Sequence, residues 1–153
     1  YLKRECQPLA DRLGKVYRVY SERYGPTLTG LPEVYSGLRS ELETHMFKEE
    51  RILFPAIVAA ESAASCGAPL PRTPFGPFAN PIGMMEAEHD SAGQALAQIR
   101  TVTGNFAIPD YACVTYRALM SGLQELEQDL HLHIHLENNI LFPRAAELDR
   151  SRI

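Results

Sequence analysis

Apolar residues recur three and four positions apart along four stretches of this chain, the spacing that places side chains on one face of an α-helix. In the first stretch Leu9, Leu13, Val16 and Tyr20 keep that period, and the helix runs from the start to about Tyr24, closing at Gly25-Pro26. The second begins near Pro32, where a first helical turn loses nothing through the missing N–H, and runs to about Ala64. The connection from Ser65 to Asn80 holds Pro69, Pro71, Pro74 and Pro77, which remove backbone donors and fix φ, so it is a long loop. Asn80-Pro81 reads as an N-cap followed by a first-turn proline, and the third helix continues to about Val102, ahead of Gly104-Asn105. Pro109-Asp110 opens the fourth, which reaches about Leu148, with Pro143 bending or ending it. No stretch alternates apolar and polar residues for long enough to be a half-buried strand. Four amphipathic helices bury their stripes together most simply as an all-α, antiparallel up-down-up-down four-helix bundle.

Three of the four stripes are interrupted by residues that do not belong in an apolar core. The second reads Leu38, Leu42, His45, Glu49, Ile52, Ala56, and the fourth reads Leu119, Leu123, Leu126, Leu130, His133, Glu137, Ile140. The third reads Ile82, Met85, His89, Ala92, Leu96, Ile99. His45, Glu49, His89, His133 and Glu137 therefore all point inward. A buried ionised carboxylate without a partner is several kcal/mol unfavourable or shifts its pKa. A single core histidine is more often hydrogen-bonded than metallated, but five inward ligand-type groups on three helices call for a cation. Imidazole nitrogens and carboxylate oxygens suit iron, manganese or zinc, and paired carboxylates able to bridge suit two ions. A histidine and a glutamate four residues apart stand one turn apart on one face and reach the same centre. His131 and His135 lie about 200° around the helix from His133, on a face with Gln124, Gln128 and Asn138, and are expected to face solvent.

Composition narrows the classes further. The 153 residues allow one domain with a core. Fifteen Lys and Arg against 19 Asp and Glu leave no basic excess for nucleic acid or an anionic membrane. The longest apolar run, Ile52 to Ala60, is broken by Pro55 and falls short of the ~20 residues of a membrane span. The opening Tyr1-Leu2-Lys3-Arg4-Glu5 lacks the apolar segment of a secretory signal, which sets the expectation of a cytoplasmic protein. Cys6, Cys66 and Cys113 are odd in number and widely spaced, so neither a disulfide framework nor a thiolate metal site is expected.

The pattern H-x-x-x-E-x-x-I-L-F-P occurs twice, at 45–55 and 133–143, with an offset of 88 residues. Two helix pairs so related form a pseudo-symmetric bundle, and the counterpart of His89 then falls on Tyr1. The segments HMFKEERILFPAI, MEAEHDSAG and DYACVTYRALMSGLQELEQDLHLHIHLENNILFPRA closely resemble the hemerythrin-like di-iron domain of the bacterial iron-sulfur cluster repair, or repair of iron centres, proteins. The likeness covers nearly the whole chain, as one domain over 1–153. Both H-x-x-x-E helices and the E-H-D element match in order, whereas ferritin-like carboxylate proteins use Glu-x-x-His.

The resemblance implies two non-haem iron ions in an oxygen-bridged centre, with His45, His89 and His133 as terminal ligands and Glu49 and Glu137 as bridges. It places a fourth histidine immediately before Tyr1, which sets the expectation of a trimmed or partly disordered start rather than a different site, and the family often carries a small cysteine-containing N-terminal domain. The Pro-rich stretch from Cys66 to Pro77 reads as an insertion, without an assigned role. The function implied is a metal-binding protein of the nitric oxide and oxidative stress response, leaning away from an enzyme but with nitric oxide chemistry at the di-iron centre left open. It would help repair damaged iron-sulfur clusters, by iron donation, with iron-sulfur proteins as clients. The alternative is a hemerythrin-like protein that binds or senses dioxygen or nitric oxide without delivering iron, and a third class is a structural bundle holding adventitious zinc. A homodimer is left open, and neither nucleic acid nor membrane is an expected partner.

Overall fold

The computed structural model describes residues 2–24 and 27–150. The helices are α1 (Leu2–Tyr24), α2 (Leu31–Lys48), α3 (Phe54–Ser65), α4 (Ala79–Val102), α5 (Val114–Leu136) and α6 (Phe142–Arg150). Between α2 and α3, and again between α5 and α6, the chain stays helical through π-turns at Glu49–Leu53 and Glu137–Leu141. Four continuous helices result, and no strand occurs among the described residues, so the all-α, four-helix-bundle class is as expected. Among those residues no helix is long and apolar enough to cross a membrane.

The chain divides into two compact units, 1–41 with 91–132 and 42–90 with 133–153. In the first, four helical segments share one core: Leu9, Leu13, Val16 and Tyr20 of α1, Leu31, Tyr35 and Leu38 of α2, Leu96 and Ile99 of α4, and Leu119, Leu123, Leu126 and Leu130 of α5. All are buried, as the apolar period requires. The Tyr35 hydroxyl donates to the Cys6 carbonyl at 2.8 Å, and the Tyr20 hydroxyl accepts from the Cys113 amide at 2.7 Å. Glu127, buried on α5 beside the expected stripe, is held by the Arg100 guanidinium in a two-pronged pair at 2.7 and 2.5 Å. The turn after α4 carries positive φ at Gly104, Asn105 and Phe106, which ends the helix at the expected place. The fourth helix does not open at Pro109-Asp110: those residues form a turn, and α5 starts at Val114.

In the second unit Leu53, Ile57, Ala60, Phe78, Ile82, Met85, Phe142 and Ala145 form the core. Ile52 and Ile140, expected inside, are 45% and 47% exposed, whereas Leu53 and Phe142 are 2% and 1% exposed. The reason is local. Pro55 and Pro143 have no N–H, and their rings would collide with the carbonyl four residues earlier in an α-helix. Both chains widen instead, so that Phe54 N–H bonds the Glu49 carbonyl and Phe142 N–H the Glu137 carbonyl, five residues back. The extra residue turns the apolar face by one position. Pro143 therefore neither ends the helix nor breaks its core contact.

The Pro-rich connection is a loop as expected, with Leu70 and Phe75 packed on the core of this unit. Asn80 is not the N-cap, because α4 begins one residue earlier and the Asn80 amide donates to the Phe75 carbonyl. The Phe78 amide at that end is held by the Asp149 carboxylate at 2.6 Å.

Candidate metal centre

All five inward-facing residues lie in the second unit, two at each π-turn and one on α4. His45 occupies the last turn of α2, and Glu49 opens the following π-turn; His133 and Glu137 repeat this at the end of α5. His89 comes from the middle of α4. One ligand-type atom from each of His45, Glu49, His89, His133 and Glu137 lies within 4.8 Å of all the others. His45, Glu49, His89 and Glu137 are buried, and His133 is half-buried, its side chain 27% exposed.

The contacts are close and chemically awkward without a cation. His45 Nε2 stands 3.0 Å from Glu49 Oε1 and 3.1 Å from His89 Nε2. His89 Nε2 is 3.1 Å from Glu137 Oε2, and His133 Nε2 is 3.2 Å from Glu137 Oε2 and 3.7 Å from Glu49 Oε2. The outer nitrogens decide what these atoms are. Glu88 Oε2 accepts from His45 Nδ1 at 2.8 Å, and Asn138 Oδ1 accepts from His89 Nδ1 at 2.8 Å. With Nδ1 protonated, a neutral ring turns the lone pair of Nε2 inward. Two imidazole lone pairs then face each other and two carboxylates, acceptor against acceptor. Until protons are added to the inward nitrogens, Glu49 Oε1, His133 Nε2 and Glu137 Oε2 are left buried without a hydrogen-bond partner.

Only a cation or added protons make such a cluster favourable. Metal–ligand bonds of ~2.1 Å place adjacent donors about 3 Å apart, which is the separation seen here. Without metal, protons take part of that place. Burial would depress His45, but its bonds to Glu49 and Glu88 outweigh this and raise it. His133 is raised mainly by its bond to Glu137. Burial pushes the Glu49 carboxyl up, whereas the bonds from His133 and His89 overcome burial and pull Glu137 down. The donor set, three nitrogens and two carboxylates, fits a divalent first-row metal.

The expected position of a further histidine partner, Tyr1, lies outside the described residues. His131 and His135 are exposed, as expected. His131→Ala and His135→Ala should therefore leave the metal content of purified protein unchanged, and elemental analysis showing loss in either would mean that this face carries a ligand.

The sequence reading missed the outer partners. Asn138, expected on the solvent face, is half-buried against His89. A π-turn advances each residue by less than the 100° of an α-helix, which keeps Asn138 near the inward direction of Glu137. Glu88 had a signal that could have been used, its place directly before His89. Lys48 completes the group through an ion pair with Glu88. Phe142 stacks on the His89 ring, centroids 5.9 Å apart and nearly parallel.

Comparison with known proteins places this geometry in context. The family described as hemerythrin HHE cation binding domain matches residues 1–145. The iron-sulfur cluster repair protein YtfE of Cronobacter sakazakii (strain ATCC BAA-894) is 44% identical over 131 residues, 86% of this chain and 53% of that protein. Its namesake in Yersinia pseudotuberculosis serotype IB (strain PB1/+) is 45% identical over 132 residues, with the same coverage. The chain spans about half the length of the curated relatives it matches.

Proposed function

Because the chain belongs to the hemerythrin HHE cation-binding domain family, we propose that it is a di-iron protein that helps repair damaged iron-sulfur clusters by donating iron. In this reading residues 1–153 are one hemerythrin-like domain acting in the cytoplasm, under nitric oxide and oxidative stress, on iron-sulfur protein clients. His45, His89 and His133 would serve as terminal ligands and Glu49 and Glu137 as bridging carboxylates of a non-haem di-iron centre. The observation that carries the reading is the inward convergence of five lone-pair donors whose outer nitrogens, at His45 and His89, are already committed as donors. The relatives named as iron-sulfur cluster repair proteins support the choice of chemistry.

Non-haem iron with nitrogen and oxygen ligands supplies an exchangeable coordination position and a relatively labile ferrous ion. The chain's own part in donation is to survive the loss of its cargo. His133 is the most exposed of the five, so the cluster has an edge from which an ion can leave. The emptied groups refill with protons, since His45 and His133 hold them more tightly than a free imidazole and Glu49 more tightly than a free carboxylate.

The test is transfer. Iron-loaded protein, mixed anaerobically with a cluster-free iron-sulfur protein, sulfide and reductant, is expected to restore the client's cluster absorbance while losing iron in proportion. Iron retained in full by this chain, with reversible dioxygen or nitric oxide binding, would favour the binding and sensing function instead.

A further inference from the structure

The outer hydrogen bonds of the two buried histidines differ in a way that a purely supportive role does not require. Nδ1 of His45 donates to a carboxylate, Glu88 Oε2 at 2.8 Å, and that carboxylate is itself paired with Lys48. Nδ1 of His89 donates at the same 2.8 Å to a neutral amide, Asn138 Oδ1. The two supports are interlocked: Glu88 sits immediately before His89 on α4, and Asn138 immediately after Glu137. Each helix thereby orients the ligand of another. A carboxylate partner draws the Nδ1 proton toward itself and makes Nε2 more basic, and an amide does so much less.

We propose that Glu88 and Asn138 are positioning residues that hold His45 and His89 with Nε2 turned inward, and that their difference in charge makes His45 the stronger metal donor of the two. The inference rests on the metal-centre reading but not on iron donation or cluster repair. Lys48 belongs to the same device. By pairing with Glu88 it keeps the carboxylate aimed at the ring rather than free to leave for solvent, and Glu88 and Lys48 are each only 29% exposed at the side chain.

Two nearly isosteric exchanges separate charge from shape. Glu88→Gln keeps a side-chain oxygen that can accept from His45 and removes the charge. Asn138→Asp keeps the acceptor at His89 and adds one. The full chain and both variants are titrated with cobalt(II) against a chromophoric chelator, the ligand-field bands are recorded, and helix content of each metal-free protein is checked by circular dichroism. Glu88→Gln is expected to weaken cobalt binding by roughly tenfold or more, and Asn138→Asp to tighten it, with shifts of the ligand-field bands in opposite directions. The exposed neighbour Glu86→Gln is expected to change neither. Equal weakening by both variants would mean that the two residues only support packing, and no change in either would mean that they do not tune the ligands. A wild-type chain that takes up no cobalt would overturn the metal centre itself, a different failure from unchanged variants on a metal-binding wild type.

Discussion

His45→Ala, His89→Ala and His133→Ala should each reduce metal affinity by at least ~100-fold, or about 2.8 kcal/mol at 1.4 kcal/mol per decade. Each imidazole reaches the cluster from a fixed place on its helix, at 3.0 to 3.2 Å from its nearest neighbour in the set, and no adjacent side chain can cover the same point. The losses should not be equal. His45→Ala also takes from Glu88 its histidine partner, whereas His133 is partly open to water, which can take over the emptied coordination position with least disturbance. Chelator competition on the three purified variants, with folding confirmed by circular dichroism, measures this. Affinities within a few-fold of wild type in all three would remove them as ligands.

The second large effect has the opposite sign and is read without metal. Glu49→Leu and Glu137→Leu should both abolish tight metal binding, and Glu49→Leu, which removes the carboxyl that burial pushes up, should also raise the stability of the apo-protein. Glu49 and Glu137 are buried carboxylates, and without metal their partners are histidines and each other. Leucine at either position continues the seam that Leu42 and Leu130 begin, and replacing buried ionic groups by apolar ones of similar volume is neutral or stabilising by about 1–4 kcal/mol. At about 2–4 °C per kcal/mol for a chain of this size, the gain should appear as a rise of several degrees in the melting temperature. His45 keeps its Glu88 partner in Glu49→Leu, so that substitution is the cleaner of the two. A marked fall in apo melting temperature for Glu49→Leu would show that protein groups alone satisfy this carboxylate and that the cluster has no need of a cation.

Much of this was legible because helical periodicity is a local property. A four-three alternation of apolar residues places them on one face whatever surrounds the helix, and a histidine or glutamate inside that alternation is carried to the same face. His45, Glu49, His89, His133 and Glu137 were found that way, and the exposure of His131 and His135 followed from the same rotation. Where the alternation ran past a proline it failed. Ile52 and Ile140 satisfy the pattern and yet face outward, because the backbone met Pro55 and Pro143 by widening one turn rather than kinking.

The sequence by itself determined the number of helices, the all-α class, the inward set of five ligand-type residues and the repeat that pairs two of the helices, since all of these rest on spacing along one chain segment. The tertiary structure decided which residues stand behind those five. Glu88 reaches His45 across 43 positions and Asn138 reaches His89 across 49, and Arg100 finds Glu127 across 27. No periodicity encodes such pairs. A buried polar atom takes its partner from whichever helix packing brings within about 3 Å, and a single added residue in a π-turn is enough to turn Asn138 from the solvent toward the ring it holds.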